Sequence, residues 1–566
     1  MRSIVCFCTV LLCSSAVAAD HFSLEILHMN DTHSNFDETG LKVSIGGESF
    51  TIPAGSVART AAAIDRIRDE EENVIFLLAG DLVQGTLFYT VYGGSADASV
   101  YNVLCPDAMS LGNHEFDRGS QGLSFLVDML EFPVLCADID VSGDSLLAGK
   151  LLPFTVLERG GESIGVIGVV TEEIAEVSSP SSETLMLPLV ETVQQYVDTL
   201  RSLGINKIIL LSHIGYANDL QLASRLSSVD VIAGGHSHTL LGNFDDMGIS
   251  SGGEYPTVVT GLDGGTVLVV QAWCYGRVLG DLHVNFDSEG RVTDYAGKPV
   301  ILTGEPYMNS SGEPLTGGDL EAFIDLLMED SRISVSDEDE FVTGLVETYG
   351  EAISEFEQTF VAEASVDLPH IRVPGGALPG GSLIAPIVCD AMLWKVDALG
   401  IGADFALQNA GGVRIDIPEG EITVGTVYRL LPFGNTLSVL DVTGSEVRGL
   451  LEGALSGIFD NGLSDGAFPY VAGLKYTAVR NAPEGQRVTD IEIADSEGVY
   501  TAIDPGSTYR MVTNAFVAKG EDGYAILAGK PFTDTGFTDS EVFLEYLEML
   551  GTVSPDEQRV FLVVND

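Results

Sequence analysis

Basic residues are scarce in this chain: 27 Lys and Arg stand against 83 Asp and Glu over 566 residues, a formal net charge of −56. So negative a surface repels phosphate backbones and anionic membranes, which excludes sequence-independent binding to nucleic acid polymers. It also repels a small phosphate-bearing molecule at long range. Phosphate chemistry here must therefore rest on local cations, meaning bound metals and a few placed arginines. Cysteine is sparse too. Cys6, Cys8 and Cys13 lie at the extreme N-terminus, and Cys105, Cys136, Cys274 and Cys389 are too scattered for a disulfide scaffold. One or two bridges, or buried free thiols, both fit that pattern. Past the N-terminus no apolar run is long enough to span a bilayer, and the tail carries no lipid-anchor signal. Histidine numbers only nine.

The N-terminus reads as a secretory signal over residues 1–19, with Arg2 as the positive end, a short apolar core and Ala16-Val17-Ala18-Ala19 as the cleavage stretch. The expected protein is secreted or periplasmic, with its acidity serving solubility. The length implies two or three domains. Over residues 20–304 short apolar runs (23–29, 74–79, 108–111, 132–137, 207–211 and 229–233) alternate with stretches of helical spacing such as 57–71 and 190–203. That alternation indicates a layered α/β domain. Residues 305–358 read as an acidic loop followed by a connecting helix over 341–356. Residues 359–566 mix helices and strands as a second, α+β domain.

Five of the nine histidines fall in short segments that follow predicted strands: Asp31-Thr32-His33, Gly112-Asn113-His114-Glu115-Phe116-Asp117, Ser212-His213 and Gly235-His236-Ser237-His238, with Gly80-Asp81 joining them. Loops after strand C-termini converge at one sheet edge. The set therefore supplies carboxylate, imidazole and amide donors in the proportions of a dinuclear metal site. Asp81, after a glycine, suits an oxygen shared by two cations. Asn113 offers a neutral amide oxygen, while Asp117 is placed to orient His114, which can donate a proton or stabilise a phosphoryl group. A single histidine at a strand end is more often a hydrogen-bonded structural residue. Explaining every member in order defeats that alternative. His21, His28, His283 and His370 are left as structural or surface residues.

In the second domain Gln408-Asn409-Ala410-Gly411-Gly412-Val413-Arg414 combines flexible backbone with an arginine able to grip phosphate bidentately. Pro432-Phe433-Gly434-Asn435 and Asn514-Ala515-Phe516 each set an aromatic beside flexible backbone. Phe433 and Phe516 are either core residues or a sandwich for a base.

In this order the metal segments resemble the calcineurin-like metallophosphoesterases, and Leu27-His28-Met29-Asn30-Asp31 together with the second domain narrows the resemblance to the 5′-nucleotidase family. The resemblance implies an N-terminal layered β-sandwich flanked by helices, a linker helix and a C-terminal substrate-binding domain. It implies that Asp31, His33, Asp81 and His238 hold one metal, that Asp81, Asn113, His213 and His236 hold the other, and that His114 with Asp117 forms a catalytic dyad. It further implies that Phe433 and Phe516 stack on a base, Asp522 holds ribose hydroxyls, and Asn409 and Arg414 contact base and phosphate. The cations expected are Zn or Mn. The activity expected is phosphate release from nucleoside 5′-phosphates by in-line attack of a metal-bound water, with a hinge near the linker helix. Two departures stand out. Asp138 replaces the family's usual asparagine, and Arg372 lies farther upstream than its usual arginine. With Gly466-Ala467-Phe468-Pro469-Tyr470, the pattern looks most like the NAD nucleotidase branch. The alternatives are a pyrophosphatase acting on NAD or UDP-sugars, a secreted nucleotide-binding protein without turnover, and a metal-storage role.

Overall fold

The computed structural model describes residues 21–563 apart from 173, 175–177, 179, 376–377, 496 and 556–558. The segment read as a signal lies outside the described residues. The first half is built on β1 (His21–Met29), α1 (Val57–Glu70), β2 (Val74–Ala79), α2 (Ser95–Leu104), β3 (Ala108–Ser110), β4 (Glu162–Val170), α3 (Leu189–Ser202), β5 (Lys207–His213), α4 (Tyr216–Ala223), β6 (Val231–Gly234), β7 (Thr266–Gln271), β8 (Val278–Asp287) and β9 (Val292–Thr303). One sheet runs β9-β8-β1-β2-β3 at its centre, with β1 parallel to β2 and antiparallel to β8. A second carries β7-β6-β5-β4, all parallel.

The two sheets face each other. Ile75, Leu77 and Ala79 of β2 meet Ile209 and Leu211 of β5 in a shared core. The alternate residues point outward under helices, Phe76 and Leu78 beneath α1 and α2, and Ile208 and Leu210 beneath α3 and α4. Both faces of each central strand are thus covered, which is why β2 is apolar at every position. This is a helix–sheet–sheet–helix sandwich, as the resemblance implied.

Between the halves the sequence reading needs correction. Residues 305–340 are not simply a loop: α5 (Gly317–Glu329) and β10 (Ile333–Val335) precede the expected helix, α6 (Glu340–Phe356). Leu320, Phe323, Ile324 and Leu327 recur at helical spacing, and Phe323 and Leu327 enter a small core with Tyr307 and Phe244. β10 adds to the first sheet, parallel to β9. Asp339 caps α6 by accepting from Val342 N. The helix lies against the first half through Val342, and its Ile353 touches the cores of both halves.

The second half contains α7 (Ala385–Ala398), β11 (Phe405–Asn409), β12 (Thr436–Thr443), α8 (Gly444–Asp460), β13 (Thr508–Asn514), β14 (Thr533–Thr538) and α9 (Asp539–Leu550). Its main sheet orders β11-β13-β12-β14, with Pro469–Ala472 on the outer edge of β11. Thr443 and Thr538 form capping boxes with Glu446 and Glu541 at the starts of α8 and α9. Cys105, Cys136, Cys274 and Cys389 are all free thiols. No described helix is long and apolar enough to cross a membrane.

Candidate metal centre and nucleotide site

Asp31, Asp81 and Asn113 follow β1, β2 and β3 of the first sheet, whereas His213 ends β5 and His236 and His238 follow β6 of the second. The expectation of one common sheet edge is thereby corrected: two facing sheets deliver their loops to the same end of the sandwich. Asp31, His33 and His238 offer donor atoms within 4.8 Å of one another, as do Asp81, His213 and His236, and His33, Asp81 and His114. Asp81 Oδ2 stands 3.0 Å from His213 Nε2 and 3.9 Å from both His33 and His114.

The backbone here is held in an uncommon conformation. Asp31, His33, Asp81, His236 and His238 all have φ between 49° and 75°, a left-handed region costing about 1–3 kcal/mol at each non-glycine residue. Gly80, at φ +76°, completes the turn, and a Cβ there would come within 2.5 Å of His213 Nδ1.

A divalent cation pair fits the donor set. Asn113 Oδ1 is buried without a hydrogen-bond partner among the described residues, and the Nε2 atoms of His33 and His238 lie 3.0 Å apart. Carboxylate, amide and imidazole donors in such proximity suit divalent cations. Burial pushes His33 down to about 3 and His236 down to about 4, keeping both rings neutral. Burial opposes ionisation of Asp81, yet the neighbouring His213 and His114 hold it well below the usual carboxylate range.

His114 Nδ1 lies 2.6 Å from Asp117 Oδ2, and Ser178 donates to the other Asp117 oxygen at 2.7 Å. Burial works against a charge on His114, but the Asp117 and Asp81 carboxylates outweigh it and push the ring up to about 10.

Several supporting residues were not assigned from sequence. Glu115, inside a quoted motif, accepts from Gly112 N at 2.7 Å, Leu82 N at 2.8 Å and Asp81 N at 3.2 Å, tying two ligand loops together. Asn30 accepts from Ala272 N and donates to Trp273 O. The Tyr275 ring abuts His33 and His238, at 5.7 and 5.4 Å between centroids. Asp219 accepts from Ser212 Oγ beside His213. Asp138, given no role from sequence, accepts from Val170 N. From the second half, β14 packs onto His114 so closely that a Cβ on Gly536 would overlap the ring. Gln84 donates to Glu541 alongside.

Family models match both halves, calcineurin-like phosphoesterase over residues 24–240 and 5′-nucleotidase C-terminal domain over residues 371–529. The probable 5′-nucleotidase of Treponema pallidum is 36% identical, with 94% of this chain and 92% of that protein aligned. The chain belongs to the 5′-nucleotidase family. The NAD 5′-nucleotidase of Haemophilus influenzae is 34% identical over 96% of this chain and 93% of its own length. Its solved structure superimposes with a TM-score of 0.82 at 32% identity, covering 97% of this chain and all of that one. The 5′-nucleotidase precursor of Thermus thermophilus superimposes at 0.58 with 39% identity, covering 96% and 100%. The protein is therefore a metal-dependent phosphohydrolase of the 5′-nucleotidase family.

Of the residues this family resemblance assigned to the nucleoside, Phe433 and Phe516 are 52% and 40% exposed, which rejects the core alternative for both. Asn409 Nδ2 donates to Asp522 at 2.9 Å, and the Arg414 guanidinium lies 5.5 Å from the centre of the Phe433 ring. A cleft of about 610 Å³ joins Phe433 to His33; Asn409, Arg414, Phe516 and Asp522 are not among its walls.

Proposed function

We propose that this 5′-nucleotidase family member releases phosphate from nucleoside 5′-monophosphates at the histidine–carboxylate cluster. The observation that carries the reading is the convergence of Asp31, His33, Asp81, Asn113, His213, His236 and His238 around an oriented His114. Asp31, His33, Asp81 and His238 would hold one cation, and Asp81, Asn113, His213 and His236 the other, with Zn or Mn the chemical match. Bound cations would supply a nucleophile at neutral pH and offset charge on the phosphoryl oxygens. Asp117 holds the His114 ring through Nδ1, so Nε2 faces the cluster as the hydrogen-bonding atom toward the substrate. Phe433 and Phe516 would stack on the base, Asp522 would bind the ribose, and Asn409 and Arg414 would contact base and phosphate. This division of labour assigns 20–304 to catalysis, 305–358 to the linker and 359–566 to nucleotide binding. The N-terminal segment directs the protein to a secreted or periplasmic location.

Phosphate and nucleoside release from AMP, ADP, ATP, NAD and UDP-glucose tests this, using metal-reconstituted protein. The expected result is adenosine from AMP, with kcat lowered about 10²- to 10⁴-fold in His114→Ala at unchanged metal content. Asp81→Ala should lose bound metal as well as activity. No turnover on any of these substrates, with metals bound, would overturn the reading. A second reading, cleavage of the NAD pyrophosphate, is favoured by the 0.82 superposition on the H. influenzae NAD nucleotidase. It prevails if AMP accumulates from NAD faster than AMP is consumed.

A further inference from the structure

Arg277 stands apart from most of this chain's buried or half-buried arginines. Arg59 pairs with Glu38 and Glu338, Arg332 with Asp330 and Asp246, and Arg487 with Asp460. Among the described residues no carboxylate pairs with Arg277. Its side chain makes one hydrogen bond among the described residues, from Nε to Thr39 Oγ1 at 3.0 Å, and no described residue partners either terminal nitrogen. The guanidinium lies over the rings of Trp273 and Tyr275, 5.2 and 5.1 Å from their centres. Those contacts fix its position in a chain carrying 83 acidic residues, where a half-buried arginine would ordinarily be neutralised.

The place where it is fixed is informative. Arg277 lines the cleft that runs from His33 to Phe433. A single tyrosine ring separates it from the cluster, since Tyr275 also abuts His33. Asp37 and Glu357 line the same cleft, but neither is in ion-pair contact with the guanidinium.

We propose that Arg277 is a specificity-determining residue, a subsite for a second phosphate group adjacent to the one held at the histidine–carboxylate cluster. A guanidinium whose Nε is tied down and whose two terminal nitrogens are open presents the planar fork that grips a phosphate bidentately. A monophosphate with its phosphoryl group at the cluster has nothing to offer this fork. A nucleoside diphosphate or a dinucleotide pyrophosphate does. The assignment rests on the proposed nucleotide-hydrolase reading and deepens it, because it explains how one site could favour substrates with a P–O–P linkage.

The test compares wild type, Arg277→Gln and Arg277→Lys on AMP, ADP and NAD, and measures binding of inorganic pyrophosphate and orthophosphate to metal-loaded protein by calorimetry. In Arg277→Gln the ratio of kcat/KM for ADP, and for NAD, to that for AMP should fall about tenfold. Pyrophosphate affinity should fall by a similar factor relative to orthophosphate affinity. Arg277→Lys keeps the charge but loses the fork, so its ratios should lie between; if the glutamine variant fails to fold, a lysine ratio equal to that of wild type overturns the proposal. Equal losses on all substrates, or none on any, would also overturn it, the former marking Arg277 as a packing residue of the Trp273–Tyr275 loop. A wild type inactive on every nucleotide would sink the hydrolase reading alone, since the pyrophosphate-to-orthophosphate comparison would still decide the subsite.

Discussion

Asp539, the first residue of α9, is buried, and neither of its carboxylate oxygens meets a hydrogen-bond partner of good geometry. Burial pushes its carboxyl up to about 8, above the ~3.9 of an unfolded chain. Between those values the folded protein keeps a proton that the unfolded chain releases. Stability is therefore lost as pH rises from about 4 to 8, by at most about 1.4 kcal/mol per pH unit. Asp539→Asn should be more stable than wild type at pH 7.5, with the difference shrinking toward zero near pH 4. Urea unfolding across that range checks it, and a pH-independent difference would refute it. Nothing in the sequence marked Asp539, because its environment is made by residues distant in the chain. The proposed metal donors were legible for the opposite reason. Each sits within a few residues of a strand end, so its placement is a local property. Glu115 falls between these cases: its motif was visible, but its backbone donors come from two loops that meet only in the fold.

Secondary structure was easiest to read where both faces of a strand are buried, as in β2 and β5. It was hardest in the linker, where acidic composition masked the apolar stripe of α5. That stripe gives a prediction. Phe323 is buried in the small core with Tyr307 and Leu327, so Phe323→Ala should destabilise the protein by about 3–5 kcal/mol. As Phe323 supplies no donor to the cluster, the substitution should leave kcat of the remaining folded protein unchanged. Denaturant melts beside single-temperature kinetics separate the two effects; a loss of kcat without a loss of stability would contradict this placement. The division of the donors between two sheets was invisible for a related reason. Strand order within a sheet is set by pairing between segments, and periodicity reports only which residues are apolar.

At the scale of the molecule, the two halves are joined by α6 and by contacts that no local pattern announces. Gln84 meets Glu541, Thr90 meets Tyr428, and β14 lies on His114. Two family members of known structure have similar identity and nearly full coverage, yet they superimpose very unequally, at 0.82 and 0.58. Rigid halves set at different angles about a hinge would produce that pattern. The cleft in this arrangement joins His33 to Phe433 but not to Asn409, Phe516 or Asp522, so uniting the whole proposed nucleotide set with the cluster requires the halves to move.

The fit of Gly536 against His114 then acquires a kinetic meaning. Were His114 the catalytic side chain proposed above, the second domain that roofs it would have to uncover and cover it again in each cycle, and large bodies moving through water feel its friction. If that movement limits turnover, kcat should fall in proportion as sucrose thickens the solvent. His114→Ala, slowed at the chemical step, should be indifferent to the same syrup.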